Sequence, residues 1–355
     1  VECVQPLNSG SVNNWMTRGD QNMKMRLVSA LAAGAFAVST AGAAQAIELK
    51  YATVAPEKTP WGAHFLKRKA ATEEASKGDI QVKMFFSSQL GDEPTVVRQV
   101  VRGRIDIAGQ SNTATSLVVP EFSLLAAPFL FKDSAQSDCV FDNHVKPIFS
   151  PLLYDKGLVL LSYMEIGYPS LYSKKPVQTV ADLKNLKVRV APSKPYPLYW
   201  NEAGASAIPL GGSENVPALK TGRVDALHTS TVFGLAVGYH KLANNVTYLE
   251  SHHDIGAVVM SKKTWLKMSK DQQDAMMKMG EDVNGLRKSI RNTQEVLLKK
   301  AVEKDGAKVF RPSGKAYDEF KAHGAAAQKA LVKSIGPSAV PIWAKIQAAV
   351  KACGG

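Results

Sequence analysis

One arginine sits where an arginine needs a reason. In Lys187-Val188-Arg189-Val190-Ala191, strand alternation puts the Arg189 guanidinium on the face opposite Val188 and Val190. A permanently charged, planar fork on a short apolar strand either answers a carboxylate of the protein or awaits one on a ligand. Gln89, Asn112, His228 and Ser230 fall at or just beyond the ends of other strands, where open α/β sheets bind ligands. Trp61, at a helix start, is read as core or as a cleft wall, and Glu214 as a cleft residue or as a carboxylate answering a helix dipole. His252-His253-Asp254 resembles a metal cluster, but adjacent side chains in an extended stretch point apart, so no metal is expected.

The elements that must position these residues repeat. Ile47–Ala52 alternates as a strand, Thr59 and Pro60 open a helix, and Ile80–Phe86 is a second strand. A capping segment, Asp92-Glu93-Pro94, then starts a helix that Gly103 ends, and a third strand is expected over Arg104–Ala108. The same order returns from Asp182 to Ser230, with strands at Lys187–Ala191, Ala205–Leu210 and Arg223–Leu227. Gly-Arg-Ile-Asp at 103–106 and Gly-Arg-Val-Asp at 222–225 occupy equivalent places. Strand, helix, strand implies parallel pairing, so the chain holds two like βαβ units facing each other across one cleft. Two apolar strands, Leu158–Met164 and Ile255–Ser261, cross between the halves. A long helical stretch, Lys262–Lys304, follows, with Trp265, Met268, Met276, Met279 and Val283 as its packed stripe.

Composition narrows the function. The chain has 355 residues, 45% of them hydrophobic, and a formal charge of +13, which favours anionic partners. Its basic residues are scattered and no nucleic-acid reader motif is present, which excludes nucleic acid. No Gly-x-Ser-x-Gly elbow or phosphate loop is present, so an enzyme is not expected, and no cofactor is implied. From Met23 the chain reads MKMRLVSALAAGAFAVSTAGAAQA: a charged lead, a short apolar core and a small-residue cleavage site after Ala46. The apolar core is shorter than the ~20 residues of a membrane span, so residues 1–46 are expected to be upstream sequence and a cleaved export signal. In an exported chain Cys139 and Cys353 are expected either to pair or to remain two thiols.

The order of motifs resembles the periplasmic solute-binding subunit of TRAP transporters, the C4-dicarboxylate-binding type. The resemblance rests on DLKNLKVRV at 182–190, ASAIPL at 205–210 and ENVPALKTGRVDA at 214–226, and on ATVAPEKTPWG at 52–62, QLGDE at 89–93, GRIDIA at 103–108 and PFLF at 128–131. It implies an α/β, two-lobed periplasmic binding protein fold with a long helix spanning both lobes. The division expected is 47–165 with 257–298 as one lobe, and 166–256 with 299–355 as the other. It also implies that Arg189 clamps the carboxylate of an organic acid, that the lobes close by a hinge, and that a monomer delivers the acid to TRAP membrane permease subunits driven by an ion gradient. The alternatives are the binding protein of an ATP-driven importer and an exported hydrolase. After the third strand, Ala226-Leu227-His228-Thr229-Ser230 departs from the commonest family pattern, so the residues that read the rest of the ligand stay open. Tyr168, Tyr196, Tyr199, Trp200, Phe233 and Tyr239 supply aromatic surface near the cleft, for an apolar ligand tail or for hinge and core packing.

Overall fold

A computed structural model describes residues 46–354; the leader assignment therefore lies outside the described residues, apart from Ala46. The chain opens with β1 (Ile47–Thr53), α1 (Pro60–Ala75), β2 (Ile80–Phe85), α2 (Glu93–Arg102), β3 (Ile107–Ser111), the short α3 (Asn112–Ser116), α4 (Ser134–Asp155) and β4 (Leu158–Gly167). It crosses at Tyr168 into β5 (Pro169–Ser173), β6 (Lys187–Val190), α5 (Pro195–Glu202), β7 (Ser206–Pro209), α6 (Asn215–Lys220), β8 (Ala226–Ser230), α7 (Thr231–Ala236) and β9 (Asn245–Tyr248). It returns through β10 (Asp254–Ser261), α8 (Lys262–Trp265), α9 (Lys270–Met277) and α10 (Val283–Asp305), then ends with β11 (Lys308–Phe310), α11 (Gly314–Ala322), α12 (Gly324–Ile335) and α13 (Ala339–Ala352).

Two mixed sheets result, β2-β1-β3-β10-β4 and β11-β9-β5-β8-β6-β7. In each, a βαβαβ run is parallel: β1 pairs with β2 and β3, and β6 pairs with β7 and β8. The repeat is exact in its hydrogen bonds. Asp106 Oδ2 accepts from the Lys50 amide at 2.9 Å while the Asp106 amide donates to the Lys50 carbonyl; Asp225 Oδ2 accepts from the Lys187 amide at 3.0 Å while its own amide donates to the Lys187 carbonyl. Each aspartate thus closes the ladder of the neighbouring strand with its side chain.

These contacts correct the expected strand bounds. Arg104–Ala108 and Arg223–Leu227 are not the third strands; both strands begin later, at Ile107 and Ala226, because Asp106 and Asp225 cap the sheet edge rather than enter it. Gly109, Gln110 and Ser111, beyond the expected end of that strand at Ala108, are strand residues, and Asn112 opens α3. The expected stretch over Lys262–Lys304 is interrupted: α8 ends at Trp265, and Asp282, with φ of 60°, separates α9 and a short 3-10 turn from α10. Strands β5 and β9 were not anticipated; they form the centre of the second sheet through antiparallel pairing.

Each sheet is buried on both faces. On the first, Val96, Val97 and Val100 of α2 pack with Phe141, Val145 and Phe149 of α4, and α1 lays Trp61 and Phe65 on the opposite face. At α2 the helix is set by Asp92, whose Oδ1 accepts from the Thr95 amide at 3.0 Å, and ended by Gly103 in the left-handed conformation. Met268, Met276 and Met279 are buried in the first lobe's core. Helix α10 carries Leu286 and Ile290 into the first lobe and Leu298 and Ala301 into the second, so it spans both. The last helix departs from the expected assignment of 299–355 to the second lobe: Ala339, Ile342, Ile346 and Ala349 of α13 join the core around α4, because its apolar stripe meets that helix. Cys139 on α4 and Cys353 beyond α13 form a disulfide, with their Cα atoms 5.7 Å apart. No helix among the described residues is long and apolar enough to cross a membrane.

Candidate ligand-binding site

A cavity of about 670 Å³ lies beyond the carboxyl ends of the parallel strands of both sheets. From the first lobe come Thr53 to Ala55 after β1, Gly109 and Ser111 of β3, and Asp92 to Thr95 at the start of α2. From the second come Arg189, the Gly211-Gly212-Ser213 turn after β7, and His228 to Ser230 of β8. Since Asp106 and Asp225 are equivalent, Gly109 and His228 hold the same position in the two repeats, as do Ser111 and Ser230. Gly109 is required: a Cβ there would stand 2.5 Å from the Tyr51 hydroxyl and 2.7 Å from the Phe65 ring. Across the cavity the lobes touch, with Ser116 Oγ 3.1 Å from Ser193 Oγ, and Tyr196 on α5 donating to Asp254 Oδ1 at 2.9 Å.

Arg189 is 4% exposed. Its Nε and Nη2 donate to the Leu210 carbonyl at 3.0 and 2.6 Å, and its Nη1 to the His228 carbonyl at 3.4 Å. No carboxylate of the described residues lies within ion-pair distance of it. Burial lowers its pKa to about 10, with Tyr239 and Glu93 acting against the drop, so the group stays cationic at neutral pH. Two of the five guanidinium N–H bonds remain unused, the number a bidentate carboxylate takes.

Around it, His228 is 3% exposed, with its ring 5.2 Å from those of Trp200 and 5.6 Å from that of Tyr196. Burial, reinforced by His252 and Arg189, pushes its pKa well below the ordinary histidine value and keeps it neutral. Ser230 donates to the Ile166 carbonyl at 3.2 Å and caps α7 through the Phe233 amide. Trp61 lines the cavity and donates from Nε1 to the Glu165 carbonyl at 2.7 Å, so it is both core and cavity wall.

Other residues singled out in the sequence lie elsewhere. Tyr168 stacks on His253 at 4.4 Å at the crossing between lobes, its hydroxyl 2.9 Å from Ser134 Oγ. Asn112 turns inward and donates to the Phe122 carbonyl at 2.9 Å. Gln89 is exposed and outside the lining, although its neighbour Ser88 is within it. Glu214 folds back on the Gly211 amide and pairs with Arg223 at 3.1 Å, also outside the lining. Among the described residues no group of histidine, cysteine or acidic side chains could hold a metal. His252 and Asp254 both meet Tyr196, the one by its ring and the other by its carboxyl, while His253 turns to Glu165.

Two cavity groups escaped the sequence reading. Glu93, read only as part of a helix cap, accepts from both the amide and the hydroxyl of Ser111; burial raises its pKa, and the Ser111 bonds work against that rise. Asp254, read only as part of a rejected metal cluster, is 8% exposed, and burial raises its pKa to about 7. The signal for Asp254 was an acid beginning an otherwise apolar strand, the mirror of the signal that marked Arg189.

Residues 51–334 match the family described as bacterial extracellular solute-binding protein, family 7 (DctP). Over 281 residues the chain is 28% identical to the 2,3-diketo-L-gulonate-binding periplasmic protein YiaO of Escherichia coli, covering 78% of this chain and 85% of the relative. Over 267 residues it is 27% identical to a solute-binding protein of Chromohalobacter salexigens, covering 74% and 80%. In fold it is similar to the sugar acid binding protein DctPAm of Advenella mimigardefordensis in complex with galactonate (TM-score 0.81, 22% identity, 87% of this chain and 99% of that one). It is similar too to a TRAP periplasmic solute binding protein from Roseobacter denitrificans with bound β-D-glucuronate (TM-score 0.78, 23% identity, 85% and 99%). With a match that spans most of the chain and the two-lobed architecture that accompanies it, the chain belongs to the DctP family of bacterial extracellular solute-binding proteins.

Proposed function

We propose that this chain captures an organic acid between its lobes, holds the acid's carboxylate on Arg189, and delivers it from the periplasm to a TRAP membrane permease. As a member of a solute-binding family it is a binder and not an enzyme. The observation that carries the reading is the environment of Arg189: a buried cation at a cavity, fixed by main-chain carbonyls and lacking an acidic partner among the described residues. A buried charge left without a counter-charge costs several kcal/mol, and a ligand carboxylate supplies one. The relatives support an acid as the ligand class, since galactonate and glucuronate occupy two of the similar structures.

Closure is the second part of the proposal. The lobes are joined by the crossings at Tyr168 and before Asp254 and by α10, the few connections a hinge needs. Ligand in the cavity would bridge Arg189 on one lobe and the first-lobe wall around Trp61 and Glu93, favouring the closed arrangement. A thermal-shift screen tests the ligand class: organic acids should raise the melting temperature by mass action and uncharged sugars should not. If only neutral sugars or amines shifted it, the reading would fail.

A further inference from the structure

The charges facing the cavity are unequal. Among the described residues Arg189 is the one cationic side chain in its lining, since His228 is neutral, whereas Asp92, Glu93 and Asp254 all line it with carboxyl groups. Two of those acids are already engaged: Asp92 caps α2 and Glu93 holds the amide and hydroxyl of Ser111. Asp254 is different. Its Oδ1 accepts from Tyr196, no other hydrogen bond to its carboxyl is found among the described residues, and the residue lines the cavity. A second carboxylate on the ligand would find no second cation among the described lining residues and would be a desolvated charge without a partner.

The remaining surface is mostly apolar. Trp61, Phe65, Met164 and Ile166 form the first-lobe wall, and Pro192 and Phe233 face the cavity from the second. Some polar side chains among them are used within the protein: Ser230 on the Ile166 carbonyl, Tyr196 on Asp254, and the Asn215 amide on the Tyr239 hydroxyl at 3.0 Å; Asn215 Oδ1 and His228 Nε2 have no partner among the described residues. A hydroxyl set against the apolar wall would be buried without a partner, at a cost of about 1 to 3 kcal/mol.

Building on the carboxylate reading of Arg189, we infer that the ligand is a monocarboxylate with a largely apolar body and a hydrogen-bond donor directed at Asp254, and that dicarboxylates are selected against. Asp254 then determines specificity at the end of the ligand that Arg189 does not hold.

Calorimetric titration of the full chain separates the two claims. The probes are succinate and malate, D-glucuronate, 3-phenylpropionate, and two hydroxylated forms of the last, 3-phenyllactate and 3-(4-hydroxyphenyl)propionate. The inference expects one of the hydroxylated aromatic acids to bind at least tenfold more tightly than 3-phenylpropionate, and both C4 dicarboxylates and glucuronate to bind more weakly than it. In Asp254→Asn, which keeps the side chain's shape, the advantage of the hydroxyl should fall below threefold. Tightest binding by succinate, malate or glucuronate, or a hydroxyl advantage unchanged in Asp254→Asn, would overturn the inference while leaving the Arg189 reading intact. Binding by none of these acids would remove both. If Asp254→Asn does not fold, the ranking of the six probes on the unaltered protein decides the question.

Discussion

Arg189 is anchored by Leu210: the Leu210 carbonyl accepts from both Nε and Nη2, at 3.0 and 2.6 Å. A neutral main-chain oxygen fixes the fork without neutralising it, so the cation is positioned in advance and still needs a counter-charge. Lysine has no such fork. We therefore expect Arg189→Lys to keep the charge and lose the anchored two-point contact, weakening acid binding by about 1.5 to 3 kcal/mol. Titration calorimetry measures it, and an affinity equal to that of the unaltered protein would show that charge alone suffices.

A second prediction concerns the hinge. Glu165 on β4 is fully buried and faces His253 Nε2 at 2.9 Å and Arg291 Nε of α10 at 3.3 Å, while Arg291 also pairs with Asp138 at 2.6 Å. Burial pushes the Glu165 pKa up, but His253 and the two arginines of α10 outweigh it and hold the carboxyl below its usual range. This network joins the spanning helix to both strand crossings. Glu165→Ala removes the buried acid that His253 and Arg291 share and should cost ~3 to 5 kcal/mol in urea unfolding; a loss under 1 kcal/mol would show that the network relaxes instead.

The bond between Cys139 and Cys353 closes a loop of 214 residues in sequence. It ties α13 to α4, away from the cavity lining. Replacing both cysteines by serine should lower stability by about 2 to 5 kcal/mol through the larger entropy of the unfolded chain. Acid affinity should stay within twofold, and a large change in affinity would reveal that α13 reaches the site.

Asp254 gives a pH dependence with a definite sign. Burial raises its folded pKa from 3.8 to about 7, so the folded state binds a proton that the unfolded state releases. Its contribution to stability is present below pH ~4 and is lost as pH rises towards ~7, by roughly 1.4 kcal/mol per unit. Other groups titrate in the same range, His252 among them, so the difference between the unaltered protein and Asp254→Asn is the informative quantity. The variant should gain on the unaltered protein between pH 5 and 7.5 in denaturant midpoint. Parallel curves would contradict the buried, protonated form.

The sequence made Arg189 legible because an always-charged side chain interrupts an apolar strand, and made the repeat legible through Gly-Arg-Ile-Asp and Gly-Arg-Val-Asp. Side-chain direction at strand ends was not legible. Asn112 stands at the end of a repeat strand, but β3 runs on to Ser111, and Asn112 then enters α3 with its amide on the Phe122 carbonyl. Glu214 starts a helical segment at the lip, yet its nearest donors, the Gly211 amide and Arg223, draw it back out of the cavity. Asp254 was masked by two neighbouring histidines that suggested metal chemistry, whereas His252 and Asp254 meet Tyr196 and His253 meets Glu165. Local pattern sets elements and their ends; which way a polar tip turns depends on partners distant in the chain.

The most direct test of the account is titration calorimetry of the tightest-binding organic acid against the unaltered protein and Arg189→Ala. With the ligand carboxylate left unpaired in a buried site, the account predicts a loss of ~2 to 5 kcal/mol in binding free energy. An affinity within twofold of the unaltered protein would contradict it.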